Sequence, residues 1–336
     1  MQPVPEAAMR GRRSLSMKIH RLILPTPLQG GPANVYLVED GDLTLVDTGP
    51  KSDEAWCELE QGFQRLGKRL SDVDKIVVTH GHTDHGGLAA SIKRMSGAKV
   101  YAHPLTASWL KDPDRDLHDL FYVRVPAFLR RVGMPEEVIA RCYPGAELLR
   151  RMTEPVSVDE TLEEGDTLRA GGCDWEVLHT PGHATSAICL YNRETRLMFC
   201  GDDLLLNAPS NPLIELPVSR GEERPHMLSV YLRTLRRLSG MEISVCFPGH
   251  GETILNHRAV IQQRFKRHEK RKDSILKTLR AGPKTAYEIA CAVVSSLDGF
   301  DSFLGISDIV GHLDVLEEEG KVRQMETDSI VYYGIA

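Results

Sequence analysis

The sequence lacks paired-cysteine motifs, long apolar runs and any excess of positive charge. Its seven cysteines, at positions 57, 142, 173, 189, 200, 246 and 291, are scattered, odd in number and form no C-x-x-C pair. That excludes a disulfide framework and a thiolate zinc knuckle and leaves reduced, mostly buried thiols as the expectation. No stretch approaches the roughly 18 apolar residues that a membrane-spanning helix needs, so a cytoplasmic chain with no membrane partner is expected. Lys and Arg number 41 against 47 Asp and Glu, a formal charge of −6. A nucleic acid would therefore have to find a local basic patch.

What is present reads as globular. Hydrophobic residues make up 41% and charged residues 26% of 336, with Gly 28 and Pro 19, which excludes collagen-like, disordered and coiled-coil classes. At roughly 100–200 residues per domain, the length suits about two domains. Gly11-Arg12-Arg13-Ser14-Leu15 has the look of an export signal, but Met17–Pro25 is too short and too charged for a signal's apolar segment. Residues 1–16 are expected to be a disordered leader, with Met17 as an alternative start.

Strand-like runs at Ile19–Leu24, Ala33–Glu39 and Leu43–Val46 open the chain as an antiparallel sheet. A helix is expected over Glu54–Leu70 and a buried strand over Lys75–Thr79. A helix at Leu88–Met95 and a strand at Lys99–His103 follow. Thr106–Met152 has a helical pattern and reads as an inserted lid. Strands resume at Thr167–Ala170, Trp175–His179, Ala187–Tyr191 and Leu197–Cys200, then a helix at His226–Leu238 and a strand at Ile243–Phe247, suggesting two similar β-rich halves. A basic helix, Arg258–Arg280, leads to helices at Ala286–Val294 and Ser307–Glu319 and a hairpin-like tail, Lys321–Gly334, the order of a winged helix-turn-helix.

The chemistry concentrates in Thr79-His80-Gly81-His82-Thr83-Asp84-His85-Gly86-Gly87, directly after a strand. Histidines at i and i+2 on extended backbone point the same way, so His80 and His82 can grip one metal while the following turn presents Asp84 and His85 to a second. Three further candidates stand after β-like runs: His183 in Thr180-Pro181-Gly182-His183, Asp202 in Cys200-Gly201-Asp202-Asp203, and His250 in Pro248-Gly249-His250-Gly251.

With these residues in this order the chain resembles the metallo-β-lactamase superfamily over about Met17–His257. The resemblance implies an α/β fold, a four-layer αβ/βα sandwich with metals at the sheet edge. It implies that His80, His82 and His183 hold one metal, that Asp84, His85 and His250 hold the other, and that Asp202 bridges both. Asp203 is the neighbouring alternative. Asp47, in Leu45-Val46-Asp47-Thr48-Gly49, matches the family's early aspartate, which lies beneath the metal loop and orients it. The expected domains are 17–257, catalytic, with a helical insertion at about 104–158, and 258–336, a small winged-helix-like domain similar to that of the glyoxalase II-like and β-lactamase-like endoribonuclease branch.

Nitrogen and carboxylate ligands without thiolate suit two divalent ions, with Zn²⁺ expected and Fe or Mn as alternatives. The implied activity is hydrolysis of a small ester, thioester or lactone by a metal-bridging hydroxide, with Asp84 also relaying a proton. Arg124, Arg130, Arg131 and Arg141 with Phe121, Tyr122 and Phe128 are candidates for a basic-rimmed apolar pocket. The rival functions are a single-stranded RNA endonuclease, from the basic helix bearing Arg258, Arg264, Lys266, Arg267, Lys270, Arg271, Lys272, Lys277 and Arg280, and a non-catalytic metal-bound docking protein. Sequence-specific DNA binding is not expected, because Ser307–Glu319 carries acids and no Lys or Arg; a homodimer is an alternative use of that helix. His103 and His226 are expected to be structural.

Overall fold

Strand alternation determines the layers. In the computed structural model, which describes residues 17–28, 30–208, 210, 212–217, 222–295 and 297–336, β2 (Ala33–Asp40) sends Val35 and Leu37 to one face and Tyr36 and Val38 to the other, and all four are buried. A strand buried on both faces must lie between two layers. The leader expected at 1–16 lies outside the described residues.

The first sheet runs β1-β2-β3-β4-β5-β6, with β1 (Lys18–Leu24), β3 (Asp42–Val46), β4 (Lys75–Val78), β5 (Lys99–Ala102) and β6 (Glu160–Thr161). It is antiparallel from β1 to β3 and parallel from β3 to β6. The second runs β11-β10-β9-β8-β7, with β7 (Thr167–Ala170), β8 (Cys173–His179), β9 (Ile188–Asn192), β10 (Leu197–Gly201) and β11 (Val245–Pro248). Only its β10–β11 pair is parallel. Between the sheets Tyr36, Val46 and Val77 meet Trp175, Phe199 and Phe247. On the outer face of the first sheet, Leu37, Leu45 and Ile76 receive Leu59 and Phe63 of α1 (Asp53–Arg65) and Ile92 of α3 (Ala89–Ser96). On the outer face of the second, Cys189, Met198 and Cys246 receive Tyr231 and Leu235 of α9 (Met227–Ser239) and Ile261 of α10 (His257–Leu279). This is the four-layer αβ/βα sandwich.

Two elements differ from expectation, the first helix and the helix expected at Ser307–Glu319, which spans Asp301–Glu318. The first helix ends at Arg65 rather than Leu70, because Gly67 takes φ +68° and turns the chain out of the helix. The insertion, expected to be helical over Thr106–Met152, consists of α4 (Pro104–Lys111), α5 (Pro113–Asp119), a π turn (Leu120–Arg124), α6 (Val125–Arg131), α7 (Glu136–Ala140) and α8 (Tyr143–Arg151). Pro104, Pro113, Pro126, Pro135 and Pro144 each stand at or beside a helix start, where the missing N–H does no harm.

The apolar face of that insertion packs on the C-terminal elements: β12 (Lys284–Thr285), α11 (Ala286–Val293), α12 (Asp301–Glu318), β13 (Val322–Thr327) and β14 (Ile330–Ile335). Phe121, Leu129 and Ile139 share one core with Ile275, Ile289, Phe303, Ile306 and Leu313. At about 1.5–3 kcal/mol for each large side chain buried, this seam supports both parts. Two acids of α12 meet arginines, Asp308 with Arg271 and Asp314 with Arg224, and Glu318 lies 2.7 Å from His226 Nδ1. Among the described residues no helix is long and apolar enough to cross a membrane.

Two buried imidazoles lie between α10 and α12. His312 Nδ1 donates to the Asp308 carbonyl, and His268 Nδ1 donates to His312 Nε2 at 3.0 Å. Burial pushes both downward, His268 to about 3. Below the ordinary histidine pKa of 6.5 the unfolded chain therefore binds protons that the folded chain refuses. Stability is present in full above that pH and is lost as pH falls toward 3, by up to about 1.4 kcal/mol per pH unit per histidine. Urea unfolding at about pH 7.5 and about pH 5.5 should show this fall and His268→Gln a shallower one; a pH-independent unfolding free energy would mean that the pair is solvated.

Candidate metal centre

The strand ends bring the candidate residues together. His80 follows β4, His82 is the extended N-cap of α2 (Thr83–Gly86), and Asp84 and His85 lie in that short helix. His183 lies in the β8–β9 connection, Asp202 directly follows β10, and His250 follows β11. Their ligand atoms converge into three overlapping groups, His80/His82/His183, His80/His85/Asp202 and Asp84/His85/His250, each within 4.8 Å.

Hydrogen bonds on the far side of the rings fix which nitrogen faces the centre. Asp47 accepts from Thr79 N at 2.8 Å, from Thr79 Oγ1 at 2.9 Å and from His85 Nδ1 at 2.9 Å. With its own proton given to Asp47, Thr79 Oγ1 accepts from His80 Nδ1 at 3.1 Å. His250 Nδ1 donates to the Gly31 and Pro32 carbonyls at 3.2 and 3.0 Å. The Nε2 atoms of His80, His85 and His250 thereby face inward, the arrangement that orients metal-ligating imidazoles and raises their basicity. His82 Nδ1 lies 3.0 Å from both His80 Nε2 and His183 Nε2.

Asp202 stands at the middle. Its Oδ1 is 3.6 Å from His85 Nε2, and its Oδ2 is 3.6 Å from His183 Nε2 and 3.5 Å from His250 Nε2. The neighbouring Asp203 turns away into the protein, where its Oδ2 accepts from the Cys189 thiol. Burial pushes the Asp203 carboxyl up to about 7.

The electrostatics divide the histidines. Burial lowers His80 and His183 and takes His82 to about 3, so this trio is neutral. Burial also opposes charge on His85 and His250, but Asp202 and its neighbouring carboxylates outweigh it, raising His85 and bringing His250 to about 9. Asp84, despite its burial, is held at about 2 by His85 and His250. Three buried carboxylates, Asp47, Asp84 and Asp202, thus demand positive charge at this spot. His85 Nε2 and Asp202 Oδ1 are buried without a hydrogen-bond partner. An unpaired buried carboxylate oxygen, neutral inward nitrogens and surplus negative charge are what a divalent cation satisfies, so the residues present fit one.

Several supporting residues were not singled out by the sequence. Asn34 Nδ2 donates to the Pro248 and Gly251 carbonyls and Tyr36 Oη to the Pro248 carbonyl, pinning the turn that carries His250. The one local signal was a polar Asn inside the apolar run Ala33–Val38. Trp109 of α4 covers Gly81, where a Cβ would lie 3.2 Å from the indole Cδ1. His103 caps α4 and stacks on His179 at 4.5 Å, and His226 pairs with Glu318. Of the expected basic-rimmed pocket, Phe121 is buried against Phe300 and Phe303, while Arg124 pairs with Asp119, Arg130 with Glu136, Arg131 with Glu326 and Arg141 with Asp298. The C-terminal helices cover the apolar face that the pocket would have used.

A sandwich with this His/Asp cluster at the sheet edge defines a metallo-hydrolase. The family model for the Metallo-beta-lactamase superfamily matches residues 28–250, and the chain belongs to that superfamily. It is 33% identical over 317 residues to the Bacillus subtilis (strain 168) protein named "Probable metallo-hydrolase YqjP", covering 92% of this chain and 95% of that one. It is 27% identical to the "Atrochrysone carboxyl ACP thioesterase" of Emericella nidulans, covering 87% of this chain and 76% of that one. Among solved structures it is similar to the metallo-beta-lactamase family protein TTHA1429 of Thermus thermophilus, with a TM-score of 0.80, 26% identity and coverage of 95% of this chain and 98% of that one.

Gly249 tests the site sterically. A Cβ there would lie 2.3 Å from Asp202 Oδ1 and 2.6 Å from His85 Cε1. Gly249→Ala should displace both side chains while leaving the sheets intact, weakening metal retention about 10–100-fold. Metal analysis after dialysis, beside a far-UV spectrum, reads this; wild-type metal content in the variant would contradict the geometry.

Proposed function

We propose that the protein is a binuclear metallo-hydrolase acting on a small acyl ester, thioester or lactone, with a thioester the leading candidate. The observation that carries the binuclear reading is Asp202, whose two oxygens lie within 3.5–3.6 Å of histidines from both groups. His80, His82 and His183 would hold one ion, Asp84, His85 and His250 the second, and Asp202 would join them. Zinc is the favoured ion on ligand type, with Fe and Mn as the alternatives. When bound, two such cations supply Lewis acidity, lowering the pKa of water from about 15.7 toward 7 and polarising the acyl oxygen.

The chain's own groups have distinct tasks in this reading. Asp84, a carboxylate beside His250 Nε2 at 3.3 Å, would orient the attacking water and relay its proton. Asp47 holds His85 and the backbone after β4 so that neither needs to move during reaction. Trp109 and Leu105, four apart on α4 and so on one face, offer apolar surface beside Gly81, and Leu105 is 51% exposed. That surface suits an acyl group, and several relatives carry thioesterase names, among them the Emericella nidulans proteins "Atrochrysone carboxyl ACP thioesterase" and "Thioesterase pkgB".

The RNA reading draws less support. On α10, Arg258 is bound to Glu242, Arg264 to the Leu205 and Ala208 carbonyls, Arg271 to Asp308 and Lys272 to Glu319. These four are taken up within the fold, whereas Lys266, Arg267, Lys270, Lys277 and Arg280 are exposed, so only part of the basic stripe is free to release counterions from a phosphate backbone.

The test is turnover of an acyl-coenzyme A, a lactone, an aryl ester and single-stranded RNA by wild type and Asp202→Ala, with metal quantified in both. About two ions per wild-type chain and thioester cleavage lost by more than about a hundredfold in the variant are expected. Turnover confined to RNA, or unchanged in the variant, would refute the proposal.

A further inference from the structure

Of the residues proposed to hold a cation, His183 has the least regular support. It lies between β8 and β9 in a connection outside any helix or strand. The turn's internal bonds, Thr180 N to Ala187 O, Gly182 N to Ala184 O and Ala187 N to Ala184 O, leave out the N–H and hydroxyl of Thr185, two residues beyond His183. Both are taken by one carboxylate from far along the chain. Glu215 Oε1 accepts from Thr185 N at 2.6 Å, and Glu215 Oε2 accepts from Thr185 Oγ1. The Thr185 carbonyl is held from the other side by His179 Nε2 at 2.8 Å.

Glu215 is itself fixed by its neighbours. Ile214 is buried in the core shared by the insertion and the C-terminal helices, and Leu216 packs against that core. The Ile214 N–H donates to Ser307 Oγ of α12 at 3.4 Å. Arg124, in the π turn of the insertion, donates to the Leu216 carbonyl at 2.6 Å and pairs with Asp119. Residues 214–216 are thus gripped by α12 and the insertion, and Glu215 reaches from them to the turn of His183.

We propose that Glu215 is a positioning residue for the metal centre: through Thr185 it sets the reach of His183, and residues 214–216 make the insertion and α12 part of that setting. Two charge-assisted bonds from one carboxylate, each roughly twice as strong as a neutral one, hold Thr185 more firmly than a neutral contact would. Glu215 is half-buried, and both of its carboxylate oxygens are directed at Thr185. Burial raises its carboxyl in agreement with that environment.

The inference rests on the reading that His183 contributes to one of two cation sites, and the test separates the two ideas. The full-length metal-free protein is titrated with Co²⁺ and Zn²⁺ alone, against a chelating dye, for wild type, Glu215→Ala, Glu215→Gln and His183→Ala, with thermal unfolding of each metal-free form. Glu215→Ala should weaken one of the two ions about 10–100-fold and leave the other unchanged. Glu215→Gln should restore most of that affinity, because its amide can still accept from Thr185 N while donating to Thr185 Oγ1. His183→Ala should abolish the same ion. Unchanged affinities in Glu215→Ala beside a lost ion in His183→Ala would overturn the positioning role alone. Equal weakening of both ions with no rescue by Gln would overturn it in favour of general loosening. Retention of both ions in His183→Ala would overturn the ligand reading and this inference with it.

Discussion

Asp47 is the interaction on which the site depends. Its carboxylate receives a backbone N–H, a hydroxyl and an imidazole from the segment after β4. Its backbone adopts φ 61°, a left-handed conformation that aspartate tolerates better than most residues. The turn after β3 is thus shaped to present an anion under the neighbouring loop. Without that anion, the N–H and hydroxyl of Thr79 and the Nδ1–H of His85 would be buried without acceptors. Such groups cost about 1–3 kcal/mol each when unpaired.

The two sheets contribute position rather than chemistry. β4, β10 and β11 end at one edge, so residues distant in sequence meet there. Around them the protein places backbone carbonyls and neutral polar side chains, Asn34 and Tyr36 among them, that lock turns without adding charge. Charged groups hold turns too, Glu215 at Thr185 and Arg21 at Gly251, while the carboxylates of the centre are buried, where their effects are stronger. The consequence is a pre-positioned, electrically unbalanced cluster of ligand atoms, and such a cluster binds a cation with little reorganisation.

Much of this was legible because it is local. His80, His82, Asp84 and His85 fall within six residues, and extended backbone followed by a turn has a known geometry. Strands such as β2 could likewise be read from apolar runs, while the four layers were implied by the resemblance that the motifs carry. What could not be read depends on distant partners. Asn34 meets a turn more than 200 residues away, and Glu215 meets Thr185 across 30 residues. Asp202 and Asp203 are adjacent on the bend after β10 and differ only in the direction they face. The insertion's helices were expected but not their covering, because an apolar face does not declare its partner.

That covering has a consequence for synthesis. The apolar side of the insertion, including Phe121 and Leu129, is completed only by Phe303, Ile306 and Leu313, which leave the ribosome long afterwards. At about 5–20 residues per second, the wait is on the order of ten seconds. During it the nascent chain carries an uncovered, helix-forming surface in the middle of an otherwise closing domain. These later-made helices therefore act as a clasp for the insertion, and a chain released before they are made would expose a sticky flank to chaperones and proteases.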